Sequence, residues 1–295
     1  MSAIIDPDIR NAHTLPSAFY TDPEKFEHIM EGFSMNWHFA AHESQLSGKS
    51  AIELRHLESL LGEPMILVSG DEIRCISNVC THRGMLLVDG SCSRRTLQCP
   101  YHGRTFGLDG TMKSMPEFSL TEDFPTAQDD LRTFPSISWK GLIFTGLEPS
   151  GLKACLKEME ARIGWMPIEK FEHDHSRNRC YEIRANWALY VDNYLEGFHI
   201  PFVHNDLNRA LDYDDYRTEI FDGGVLQIGI ASDGETIFEI PEESPDYGLK
   251  VAAYYYWIYP GLMLNFYPWG LSVNLVLPLS VDRTRIQYYG LVTSL

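Results

Sequence analysis

Two short stretches, Cys80-Thr-His82-Arg-Gly84 and Cys99-Pro-Tyr-His102-Gly103, each bring one thiol and one imidazole to a glycine-ended turn. Zinc-finger spacing pairs Cys with Cys and His with His. Here each stretch offers one of each. That mixture suits a two-iron cluster with unlike ends, one iron held by Cys80 and Cys99 and the other by His82 and His102. Neutral imidazoles donate less charge than thiolates, so such a cluster is easier to reduce than an all-Cys one. Zinc, or four unrelated core residues, are the alternatives. Gly84 and Gly103 are expected to let the backbone bend close to the cluster sulfides.

A second set lies in "ANWALYVDNYLEGFHIPFVH". The periodicity predicts a helix over residues 184–199, with Trp187, Val191 and Leu195 on one stripe. Asp192, Glu196 and His199 fall at i, i+4 and i+7, on one face of it. Pro201 is expected to stop or kink the helix, so that His204 folds back beside His199. Two histidines and a carboxylate with open positions form the facial triad of non-haem Fe(II) oxygenases. Taken alone, the His-x₄-His spacing equally describes a capped or core pair. Beside the first set, iron is the better reading.

Something must position these groups. "TDPEKFEHIMEG" reads as a helix capped by Thr21 or Asp22, with Pro23 in its first turn and Gly32 at its end. From Trp37 to about Gly146 short β-like segments ("NWHFAAH", "PMILVSG", "EIRCISNV", "RTLQC", "GRTFGLDG", "SISWKGLIFTG") alternate with turns, as in a small all-β domain. "PSGLKACLKEMEARIG" carries Leu152, Cys155, Leu156, Met159 and Ile163 at helical spacing, closed by Gly164. Later come "GVLQIGIAS", "ETIFEI", "VAAYYYWIYP", "LMLNFYPWG", "LSVNLVLPL" and "TRIQYYGLVTSL", the strands of a long antiparallel sheet. The aromatics of "YYYWIYP" and "NFYPWG" suit a sheet core, a box for a quaternary ammonium group, or a pocket for an aromatic ring. The sequence leaves all three open.

The 295 residues, 44% of them hydrophobic, can bury a large core. Acidic residues outnumber basic ones 41 to 24, a formal charge of −17, which argues against nucleic acid and anionic membranes as partners. No apolar run reaches the about 18 residues of a membrane span. No secretory signal is evident at the N-terminus. Six cysteines in a chain of this length do not form a disulfide scaffold, and a cytoplasmic location is expected. Cys75 and Cys92 read as ordinary thiols of the β domain.

At Cys80, His82, Cys99 and His102, with "RG" after the first His and "PYHG" at the second loop, the sequence resembles the Rieske family. Met85 and Tyr101 stand where respiratory Rieske proteins carry a disulfide, which favours the oxygenase and ferredoxin type. With His199 and His204, the chain resembles the α subunits of Rieske non-haem iron oxygenases, aromatic-ring-hydroxylating enzymes, and within them a choline monooxygenase-like branch. "NWALYVDNYLEGFH" and "GLMLNFYPWGLSVN" carry that similarity.

The resemblance implies an α+β fold: a Rieske [2Fe-2S] domain, residues 37–148, set into a helix-grip (START-like) catalytic domain made of residues 1–36 and 149–295. It implies a [2Fe-2S] cluster, a mononuclear Fe(II), and a homotrimer in which one subunit's cluster faces the next subunit's iron. Glu196 would bridge the two centres where many relatives have Asp. Asn193 would lie near the iron, and Asp192 is either a solvated helix residue or a supporting partner. The family's third iron ligand is an Asp on a closing helix. The last acid here, Asp282, lies in a turn, so that ligand and helix are expected beyond residue 295 or absent.

No G-x-G-x-x-G follows a strand, so electrons are expected from a separate flavin-containing NAD(P)H reductase, directly or through a ferredoxin. The activity implied is hydroxylation of a small quaternary ammonium compound or an aromatic ring with O2. An electron-transfer protein and an inactive remnant are the rival readings.

Overall fold

In this computed structural model, residues 5–6, 8–204, 206, 209, 211–213 and 215–293 are described. The largest element is a seven-stranded antiparallel sheet. Its strand order is Phe171–Ile183, Arg283–Thr293, Gly270–Ser280, Leu262–Tyr267, Val251–Ile258, Gly224–Ile230 and Arg217–Phe221.

Strand alternation sends side chains to two faces, and each face has its own cover. Leu226, Ile228, Tyr254, Tyr256, Leu264, Phe266, Val273 and Leu275 pack with helix Leu152–Ile163 and with Phe39 and Phe144. Met263, Val276 and Ile286 pack with Phe33, Trp187, Ala188 and Val191 from helices Pro23–Ser34 and Trp187–Leu195. The second layer is the one that matters for the site. It fixes helix Trp187–Leu195 on the sheet through its buried stripe.

Between the N-terminal helices and the sheet, residues 38–145 form short antiparallel strands. Strand His38–His42 pairs with Leu142–Thr145, so the segment leaves and re-enters at neighbouring strands. Within it lie a five-stranded sheet and two three-stranded ones, the helix Arg55–Leu61, which the all-β reading did not foresee, and a small core of Ile66, Val68, Ile76, Phe106 and Leu131 that includes Cys80 and Cys99.

Several expectations need correction. Helix Pro23–Ser34 is capped by Asp22, which accepts from the Glu24 and Lys25 amides, but it runs past Gly32 to Ser34. A single glycine costs a helix only about 1 kcal/mol, and Phe33, fully buried, holds the last turn down. The helix over 184–199 is shorter, Trp187–Leu195, and Pro201 starts a new short helix, Ile200–Val203, rather than ending the old one. "ETIFEI" forms no strand; only Phe238 bonds to the sheet, through Val251 O at 2.9 Å. The strand in "TRIQYYGLVTSL" runs to Thr293, and the last two residues lie outside the described ones. No helix among the described residues is long and apolar enough to cross a membrane.

Candidate metal centres and substrate cavity

The two Cys/His loops are built alike. Gly84 N–H donates to Cys80 O at 2.9 Å, and Gly103 N–H donates to Cys99 O at 3.0 Å. Both turns need a left-handed residue, and the glycines supply it with φ of 71° and 76°. A Cβ at Gly84 would meet no protein atom within 4 Å, so its positive φ is what this loop's own fold asks of that glycine.

The loops bring like donors together. Cys80 and Cys99 are both buried, unlinked, and within hydrogen-bonding reach of each other. The His82 and His102 rings meet edge to face at 4.9 Å. His102 Nδ1 is buried and without a hydrogen-bond partner. A buried imidazole nitrogen lacking a partner is costly unless something binds it. Burial pushes the Cys80 thiol up, so its thiolate form needs a nearby positive charge. Desolvation, then His102, Arg83 and Arg104, hold His82 below its usual range and keep it a neutral ligand.

Among the described residues no three His, Cys, Asp or Glu side chains converge as a single-ion site requires. The thiols pair with each other and the imidazoles with each other, the like-with-like grouping that a two-iron cluster with unlike ends takes. Cys75 stands apart, its thiol against Met65 Sδ at 3.8 Å and pushed by burial to about 12. Cys92 contacts Ser50.

The second site grows from the end of helix Trp187–Leu195. Asn186 caps that helix, accepting from Ala188 N at 2.9 Å, and its Nδ2 ties it to Val281 O at 2.9 Å. The chain turns extended at Glu196 (φ −118°, ψ 148°). Glu196 and His199 therefore meet across a turn, not on a common helix face. His199 Nδ1 lies 2.5 Å from Glu196 Oε1, and the Phe198 and His199 amides reach Glu196 Oε2 at 2.5 and 3.3 Å. With Nδ1–H given to the carboxylate, Nε2 of His199 is free to bind a metal. The His204 ring stands 5.0 Å from that of His199, at the far end of the one-turn helix.

Asp192 does not join them. It accepts from Tyr20 Oη at 2.7 Å and pins the N-terminal segment to the helix. That bond, after burial and ahead of Asp192's charge, helps push the Tyr20 phenol up to about 12.

His199, His204, Glu196 and Asn193 line a cavity of about 350 Å³ with Tyr190, Tyr194, Tyr216, Tyr255 and Gln227. Gln227 knits the wall: its Nε2 donates to Tyr194 O at 2.8 Å and its Oε1 accepts from Tyr216 Oη at 3.1 Å. Burial raises the phenols of Tyr194, Tyr216 and Tyr255, so all three stay neutral. Of the aromatics in "YYYWIYP" and "NFYPWG", only Tyr255 reaches the cavity. Tyr254, Tyr256 and Phe266 are fully buried in the sheet core, and Trp269 is 41% exposed. The sequence reading missed Tyr190, Tyr194, Tyr216 and Gln227. The i, i+4 pair Tyr190/Tyr194, flanking Asn193, was the available signal.

Two adjacent family matches agree with this layout. Residues 36–134 match the Rieske [2Fe-2S] domain, and residues 167–293 match the catalytic domain of the ring-hydroxylating alpha subunit. Between them the two matches take in both domains of the α subunits of Rieske-type non-haem iron oxygenases, and the chain is similar to that family. Among curated relatives, it is 28% identical to chloroplastic choline monooxygenase of Beta vulgaris, over 96% of this chain and 64% of that protein. It is also 28% identical to the carnitine monooxygenase oxygenase subunit of Escherichia coli (strain K12), over 96% of this chain and 75% of that protein. It thus spans just under two thirds of the beet enzyme's length. Among solved structures, the quaternary ammonium Rieske monooxygenase CntA superposes with a TM-score of 0.78 at 25% identity, covering 96% of this chain and 76% of that one. Naphthalene 1,2-dioxygenase from Rhodococcus sp. shares the fold, with a TM-score of 0.77 at 22% identity over 95% of this chain and 73% of that one.

Proposed function

We propose that this chain is the oxygenase component of a Rieske system that hydroxylates a small quaternary ammonium compound with O2 and electrons from a separate flavin-containing reductase. The observation that carries the reading is the tyrosine-walled cavity on the Glu196–His199–His204 turn, in a chain that also holds paired thiols and paired imidazoles. Cys80, Cys99, His82 and His102 would hold a [2Fe-2S] cluster, and His199 and His204 a mononuclear Fe(II). When bound, these groups supply single electrons and the activation of dioxygen.

The chain's own residues do the rest. Glu196 keeps the proton on His199 Nδ1 and fixes the ring's orientation. Neutral tyrosine faces attract a quaternary ammonium group, each by about 0.5–2 kcal/mol according to its desolvation. A cation held there has its alkyl groups beside the two histidines.

We assign residues 37–148 to the cluster-bearing domain and the remainder to a helix-grip catalytic domain, supported by the pairing of His38–His42 with Leu142–Thr145. A head-to-tail homotrimer is supported by exposed apolar side chains at both centres: Met85, Leu86 and Tyr101 on the cluster loops, and Phe198, Phe202 and Val203 beside His199.

The test is oxygen uptake and product analysis with a compatible reductase. Choline and carnitine are compared with 3,3-dimethylbutan-1-ol, the uncharged isostere of choline, and with naphthalene. Hydroxylation of a cation and not of the isostere is expected. Equal turnover of the isostere, or turnover of naphthalene alone, overturns the substrate class.

A further inference from the structure

Two of the cavity tyrosines begin lines of aromatic rings that end at the surface. Tyr190 Oη lies 2.5 Å from Tyr288 Oη, and the Tyr288 ring meets Tyr181 edge to face at 5.8 Å. Tyr181 is 53% exposed. On the other side, Tyr255 meets Tyr267 at 5.9 Å, and Tyr267 stacks on Trp269 at 5.1 Å with their planes 9° apart. Trp269 is 41% exposed and carries the Arg177 guanidinium over its face at 4.9 Å. Every step is direct contact between aromatic rings or their hydroxyls. Core packing alone does not call for two unbroken runs of tyrosine and tryptophan, the side chains most easily oxidised by one electron. The fully buried neighbours Tyr254, Tyr256 and Phe266 fill the core without reaching either run's surface end.

We infer that the lines Tyr190–Tyr288–Tyr181 and Tyr255–Tyr267–Trp269 are hole relays that carry stray oxidising equivalents from the His199/His204 site to the surface. The inference rests on the proposed iron site.

An oxygenase that reduces oxygen or peroxide without hydroxylating substrate leaves an oxidising equivalent beside its own ligands. In the relay, a cavity tyrosine gives one electron to that oxidant and is refilled by the next ring outward. In the first branch the phenolic proton moves within the Tyr190–Tyr288 hydrogen bond. Net, the metal site gains one electron, and Tyr181 or Trp269 loses one electron, with its proton going to water. A small thiol in solution restores the surface radical by giving a hydrogen atom. Without thiol, dissolved dioxygen adds to the surface radical and leaves an oxygenated side chain.

The test loads the whole protein with Fe(II) under anoxic conditions and measures iron. The protein then receives hydrogen peroxide in aerated buffer without substrate or thiol, and oxygenated residues are mapped by peptide mass spectrometry. Trp269 and Tyr181 should be modified well above Tyr259, 41% exposed, and Tyr247, 56% exposed. Tyr267→Phe should lower the label at Trp269 by about tenfold or more and leave Tyr181 unchanged, and Tyr288→Phe should do the reverse. Both variants keep the ring and its packing. Labelling that follows exposure alone, that survives these variants, or that is equal in His199→Ala overturns the relay. Failure of wild-type protein to take up the mononuclear iron overturns the iron site and the relay with it, and the metal content reveals that outcome separately.

Discussion

Glu196→Ala tests the second metal site most sharply. One carboxylate gathers three contacts, from His199 Nδ1 at 2.5 Å, Phe198 N at 2.5 Å and His199 N at 3.3 Å. A hydrogen bond to a charged group contributes about 1.5–3 kcal/mol. The Glu196 side chain is 33% exposed, so the lower part of that range applies. Loss of a carboxylate that orients a ligating histidine weakens metal binding about 10–100-fold, equivalent to about 1.4–2.8 kcal/mol. The two ranges overlap, and the predicted loss is about tenfold to thirtyfold in Fe(II) affinity. Glu196→Gln should lose less, because the amide oxygen still accepts from the backbone. The assay is anoxic titration with Fe(II) at fixed pH, read by calorimetry, with the visible spectrum of the cluster recorded in parallel. The spectrum should not change. Unaltered affinity in the alanine variant, or loss of the cluster spectrum with it, would refute the arrangement.

Cys99→Ser should remove the cluster colour and about two irons per chain, while the far-ultraviolet spectrum of the seven-stranded sheet persists; metal analysis and circular dichroism check both. Phe33→Ala should cost about 3–5 kcal/mol in urea unfolding, because this fully buried ring packs edge to face on Trp187 at 4.8 Å and joins the N-terminal helix to the site helix. Asn186→Ala should cost about 1–2 kcal/mol through its lost helix cap. His38 is buried, with Nε2 on Phe33 O at 2.9 Å, and burial lowers its pKa to about 4. The unfolded chain therefore takes up this proton first as pH falls. The stability it contributes is complete above about pH 6.5 and declines by about 1.4 kcal/mol per unit as pH falls towards 4. His38→Gln should flatten that part of the urea-midpoint profile.

Local chemistry made the metal loops legible. The donors, the glycines and their spacing lie within a few residues of one another, and the structure folds both loops into the same turn. The sheet strands from Gly224 onward were legible for a similar reason, since apolar alternation survives wherever one face is buried. Strand Phe171–Ile183 was not, because it is a polar edge strand whose order comes from pairing with Arg283–Thr293. Its sequence, "FEHDHSRNRCYEI", carries no apolar period. The Glu196–His199 contact was expected for the wrong geometric reason: helical spacing suggested it, and an extended break after Leu195 produces it. Beyond the Tyr190/Tyr194 pair the cavity wall was illegible, because Tyr216, Gln227 and Tyr255 come from other elements, and only the folded sheet brings them together.

Iron and acid-labile sulfide, measured per chain on protein purified and loaded with Fe(II) without oxygen, test the central claim directly. The account predicts about two sulfides and about three irons, one of them lost in His199→Ala while both sulfides stay. A colourless protein that holds zinc and no sulfide would contradict it.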